Sequence, residues 1–116
     1  MKIHAWKEME WEKVTDGISR KIITGENVMI AQIHLAKGAV VPEHSHLSEQ
    51  MSYVIEGSLE FTMGGRTRVV TAGEVLVVPP HLPHKVIALE DTLSADIFSP
   101  IRQDWLDHTD TYFHQK

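Results

Sequence analysis

The sequence predicts an all-β fold, a small sandwich or barrel, and three observations carry that prediction. Breakers recur at short intervals: Gly17, Gly25, Gly38, Gly57, Gly64-Gly65 and Gly73, then Pro79-Pro80 and Pro83. The pieces between them are of strand length, and several are rich in β-branched residues. Helix signals are weak throughout. The 116 residues are expected to form one domain over 1–116, without linker, repeat or low-complexity tract.

The elements follow in order. The first 16 residues, with Trp6 and Trp11, read as an irregular arm or an edge strand. In small barrels such an arm often covers a neighbouring subunit, so a homodimer is expected. Residues 28–35 form a strand too apolar on both faces for a surface helix. Residues 50–56 alternate loosely, with Met51, Tyr53 and Ile55 on one face. Residues 58–63 and 66–70 flank Gly64-Gly65, a hairpin turn in which both glycines accept positive φ. The short apolar run 74–78 reads as a buried strand. Residues 85–89 and 92–98 read as another strand pair around Glu90-Asp91. After Pro100, residues 102–107 form a helical turn or two, with Trp105-Leu106 packing back onto the body.

Composition narrows the function classes. Hydrophobic residues make up 42% and charged residues 23%, the balance of a soluble globular protein rather than a disordered tail. Lys and Arg number 11 and Asp and Glu 16, for a net charge of −5, and no basic stripe stands out. Nucleic acid is therefore not the expected partner, and no helix-turn-helix segment accompanies the strands. No stretch has the length of a signal peptide or membrane span, so the expected location is the cytoplasm and no membrane partner is expected. Cysteine is absent while histidine appears eight times. Any metal must then be held by imidazole, carboxylate, amide or water.

The segment His44-Ser45-His46 places two imidazoles on one face of an extended chain, ~6.5 Å apart along it. Two rings at that separation can converge on one ion. A third ligand needs the same face: Gln50 has the right parity, and Glu49 is held in reserve because a loop intervenes. A further ligand should come from a distant strand. His84 qualifies, since the stiff turn Pro79-Pro80-His81-Leu82-Pro83 fixes where its strand begins.

The whole pattern resembles the cupin family of small β-barrel metalloproteins. Its first motif matches Gly38, His44, His46, Gln50 and Gly57. Its second matches Gly73, Pro79 and His84, with His81 standing where the family has glycine and Ala88 where it has asparagine. The resemblance covers residues 38–57 and 73–88 and implies a double-stranded β-helix, or jelly-roll barrel. It further implies one divalent transition metal (nickel, iron, zinc, cobalt or manganese) on His44, His46, Gln50 and His84. Gln50 replaces the family's usual glutamate, which removes one negative charge and leaves the ion a stronger Lewis acid. A substrate bearing its own carboxylate would suit such a site.

Near the C-terminus, Asp96 and Phe98 share a strand face and Arg102 follows a proline bend. Asp96 can act as general acid or base and Arg102 can clamp a carboxylate, or the two form a surface ion pair. The stretch Asp96, Phe98, Ser99, Pro100, Arg102, Asp104 and Trp105 is similar to the pectin-degradation, KdgF-type branch of cupins. That resemblance implies conversion of 4,5-unsaturated uronates, released from pectin or alginate, into the linear keto form. By the same carry-over Asp96 and Arg102 would be catalytic, with Arg102 and Phe98 contacting substrate. The pocket is then expected to be locally positive inside an acidic protein.

Two other classes stay open. One is a different cupin enzyme, a dioxygenase or keto-acid isomerase; the other is a non-catalytic barrel binding a sugar or small acid. Of the remaining histidines, His4, His108 and His114 are expected on the surface and His81 in an exposed turn. His34 either lines the barrel or faces solvent. Met29, Met51 and Met63 are expected in the core or pocket wall.

Overall fold

Ten strands alternate side chains inward and outward and build two antiparallel sheets. The computed structural model describes residues 1–110 and 112. In chain order the strands are β1 (Glu12–Thr15), β2 (Ile18–Thr24), β3 (Met29–Leu35), β4 (Val40–His44), β5 (Glu49–Glu56), β6 (Ser58–Met63), β7 (Arg66–Thr71), β8 (Val75–Val78), β9 (His84–Ala88) and β10 (Thr92–Ser99). A 3-10 turn at Trp6–Glu8 precedes them and a one-turn helix, α1 (Gln103–Leu106), follows.

One sheet has the order β1-β2-β3-β10-β5-β8 and the other β4-β9-β6-β7. Their inner faces enclose Ile18, Met29, Ala31, Ile33, Leu35, Val54, Leu59, Phe61, Val86 and Phe98. This is the jelly-roll barrel expected. The Gly64-Gly65 hairpin forms with Met63 opposite Arg66, both glycines at positive φ. The arm ends in a short edge strand, β1, and Trp105 is buried against the barrel.

The structure corrects several expectations. Residues 85–89 and 92–98 do not pair: β9 joins β4 and β6, while β10 joins β3 and β5. A short polar link reads the same whether the chain reverses in one sheet or crosses to the other. Here Thr92 Oγ1 donates to the Glu90 carbonyl and Ser58 Oγ to the Glu90 carboxylate, and these bonds hold the crossing. The apolar run in β8 is buried on one face only: it forms a sheet edge, with Val78 enclosed and Val75 and Val77 half exposed. Met51, Tyr53 and Ile55 do share a face of β5, yet Met51 and Tyr53 are exposed while Gln50, Ser52 and Val54 point inward. Met51 is thus no core residue, whereas Met29 is fully buried and Met63 packs against the core.

Strand β2 escaped the sequence reading because its inward positions are Ile18, Arg20 and Ile22, and the arginine breaks the apolar alternation. His34 is exposed on the outer face, edge-on to Trp11. His4, His81 and His108 are exposed, His108 within 2.9 Å of Glu12, and His114 lies outside the described residues.

Candidate functional site

The two sheets bring together side chains from four separate stretches of chain. His44 ends β4 and pairs directly with His84, the first residue of β9. His46 follows in the link to β5, and Gln50 points inward from β5 itself. The imidazole nitrogens of His44, His46 and His84 lie within 4.8 Å of one another, so the three rings can hold one ion. Glu49, the reserve candidate, is exposed, and Gln50 is buried beside His46.

Hydrogen bonds fix which ring nitrogens are available. Nδ1 of His44 meets the Pro42 carbonyl at 2.8 Å, Nδ1 of His46 the Ser48 carbonyl at 2.9 Å, and Nδ1 of His84 the Leu82 carbonyl at 2.8 Å. A carbonyl only accepts, so each Nδ1 carries the hydrogen and each Nε2 presents its lone pair. Such backbone partners are the usual means of orienting a metal-binding imidazole. Burial pushes His44 down to about 3 and His46 to about 4, and lowers His84 as well, which keeps all three neutral and ready to ligate.

Two further contacts test whether a cation fits. His46 Nε2 faces Gln50 Oε1 at 2.9 Å, while Gln50 Nε2 donates to Ser52 Oγ at 2.8 Å. With Nδ1 of His46 protonated, two lone pairs then confront each other. Turning the amide would relieve that contact alone. A cation relieves it and also gives a partner to His84 Nε2, which is buried and has none among the described residues. The donor set of three imidazoles and an amide oxygen suits a first-row transition metal.

Asp96 points inward from β10 opposite Ser52 of β5. It is buried, and loss of solvent pushes its carboxyl up to about 6, against the lowering pull of a Ser52 hydrogen bond and the Arg102 charge. Phe98, two residues on, is opposite Gln50 and edge-on to the His46 ring. Arg102 is 3% exposed, so the surface ion pair of Asp96 and Arg102 is not found. Its salt bridge runs instead to Asp104, through Nε at 3.0 Å and Nη2 at 2.8 Å. Its guanidinium lies over Phe98 and Trp105, and Nη1 is buried with no partner among the described residues.

His44, Gln50, His84, Asp96, Phe98 and Arg102 line a single cavity, about 530 Å³ including the solvent at its mouth. Arg20, Trp105 and Tyr112 line it too. Sequence reasoning missed Ser52, Arg20 and Tyr112. Ser52 had a signal, sharing the parity of Gln50 two residues earlier. Arg20 and Tyr112 had none, because their roles depend on contacts between residues far apart in the chain, Asp110 on Arg20 and Tyr112 on His44.

Comparison with known proteins agrees with this geometry. The Cupin domain family matches residues 31–99. The pectin degradation protein KdgF of Dickeya dadantii is 38% identical over 102 residues, covering 85% of this chain and 93% of the relative. Among solved structures, KdgF from Halomonas sp. superposes with a TM-score of 0.82 at 36% identity, over 87% of this chain and 96% of that one. An RmlC-like cupin from Shewanella frigidimarina gives 0.83 at 32% identity, over 88% and 93%.

Proposed function

The chain belongs to the cupin family, and from that premise we propose that it is a metal-dependent enzyme of pectin or alginate breakdown that converts 4,5-unsaturated uronate monomers to the linear keto form. The relatedness to a pectin degradation protein supports the process. The observation that carries the chemistry is Asp96. A buried carboxyl held at about 6 shares one cavity with the His44 and His84 imidazoles and an arginine whose Nη1 has no partner among the described residues.

The reaction is an isomerisation and needs no co-reactant. The hemiacetal hydroxyl loses its proton, the bond from the anomeric carbon to the ring oxygen breaks, and an aldehyde forms. The ring oxygen becomes a ketone as the distal alkene carbon gains a proton. Asp96 accepts the first proton and returns it to carbon, a task suited to a group that titrates near neutral pH. Ser52 orients the carboxylate by hydrogen bonding. Arg102 holds the uronate carboxylate, using a planar fork that a lysine lacks. Phe98 and the apolar wall exclude water from the reacting atoms. A divalent ion on His44, His46, Gln50 and His84 supplies Lewis acidity toward a substrate oxygen when bound.

The test follows the ultraviolet absorbance of the alkene conjugated to the carboxylate, using unsaturated galacturonate from a pectate lyase digest. The metal-loaded protein is expected to accelerate its loss, and Asp96→Asn to reduce that acceleration ~10²–10⁴-fold. Decay at the rate of the metal-stripped protein would refute the proposal.

A further inference from the structure

After α1, Tyr112 lines the cavity, and Asp110 close before it is pinned by a buried ion pair. Asp110 meets Arg20 Nη1 at 2.6 Å and Nη2 at 3.3 Å, and Arg20 Nε donates to Glu12 at 2.6 Å. All three nitrogens of Arg20 are thereby committed to carboxylates, although the residue lines the cavity. Arg20 is a latch for the segment and not a ligand site. Arg102, by contrast, has no partner for Nη1 among the described residues, at 3% exposure.

The latch sets Tyr112 between two groups that a bound uronate must also reach. Its ring stacks on the His44 imidazole, 4.1 Å between centroids and 5° from parallel. Its hydroxyl accepts from Arg102 Nη2 and from Trp105 Nε1, each at 3.1 Å. A flat ring against a candidate metal ligand and an oxygen on the guanidinium are the contacts of a sugar ring bearing a carboxylate.

We propose that Tyr112 is a specificity-determining residue that occupies the uronate position in the free protein, and that a ligand carboxylate displaces its hydroxyl from Arg102. This rests on the reading of the cavity as a uronate site. The exchange favours acids over neutral sugars. A carboxylate forms charge-assisted bonds at Nη2 and at Nη1, whereas an uncharged ligand meets a phenol already bonded at Nη2. Discrimination therefore comes from competition as well as attraction. The Arg20–Asp110 pair keeps the segment in place while the side chain swings aside.

The experiment is titration calorimetry of the metal-loaded protein and of Tyr112→Phe with galacturonate, a saturated uronate, and with its methyl ester. Removing the competing hydroxyl is expected to tighten galacturonate binding about 3- to 10-fold, the net worth of one hydrogen bond. The ester's affinity is expected to stay unchanged. Weaker or equal binding of the acid by Tyr112→Phe overturns this inference and leaves the uronate site standing. No binding of the acid by either protein removes the uronate site and this inference together. Melting curves of both proteins confirm that any difference arises in the folded state.

Discussion

In the six-stranded sheet, β3 on one side and β5 with β10 on the other follow the same alternation, but β3 buries only apolar side chains whereas β5 and β10 bury polar ones beside Val54 and Phe98. Along β3, Met29, Ala31, Ile33 and Leu35 point inward, and the outward positions are mixed. Along β5 and β10, Gln50, Ser52, Ser94 and Asp96 are buried, while Met51 and Tyr53 lie outside. The first half gains stability from apolar burial. The second spends inward positions on groups that water would solvate better, and makes them tolerable only through mutual hydrogen bonds and, at the histidines, through an ion. The difference marks which part of the barrel is scaffold and which is site.

The largest effect on stability should come from the scaffold half. Met29→Ala removes a fully buried side chain and is expected to cost about 2–5 kcal/mol by denaturant unfolding, because the rigid sheet cannot close the cavity. A cost below ~1 kcal/mol would mean that the two halves are not distinct.

Acidification probes the site half next. His44 and His46 stay neutral in the fold well below 6.5, whereas in the unfolded chain they take up protons as the pH falls through 6.5. The unfolded state then binds more protons, so stability should fall from about pH 6.5 toward 4. Asp96 acts the other way, since the fold holds its proton up to about 6 and the unfolded chain releases it near 3.8. The histidines outnumber it and are displaced further, so the melting temperature of metal-free protein should drop across this range.

Asp96 alone can be isolated by substitution. Above pH 7 its buried charge costs the fold on the order of 3 kcal/mol. Asp96→Asn should therefore stabilise the metal-free protein at pH 8, by about 1–2 kcal/mol, while abolishing most activity. The gain should shrink as the pH falls below about 6 and vanish below about 3.8, where folded and unfolded chains both hold the proton, and that pH dependence separates charge burial from packing.

The smallest effect lies outside both halves. His81 holds φ at +65°, where an L side chain is strained, and its N–H bonds to the His46 carbonyl. His81→Gly should raise stability by about 0.5 kcal/mol, strain relief being offset by the entropy of a freer unfolded chain. The turn explains why the family motif carries glycine at this place.

The all-β class, the Gly64-Gly65 hairpin and the His44, His46, Gln50 and His84 grouping were legible in the sequence. Each depends on local spacing: two-residue parity along a strand, glycine at positive φ, and rigid prolines before His84. Asp96 and Arg102 were legible as candidates, but their burial was not, because burial is decided by what packs across them. The apolar face of β5 misled the assignment of its inside for a related reason. Alternation tells which residues share a face, and only the opposing sheet decides which face is enclosed. The sheet change between β9 and β10, the Arg20–Asp110 latch and the place of Tyr112 on His44 all join residues far apart in the chain. Such contacts arise from the closure of the barrel, so no local pattern of residues could have specified them.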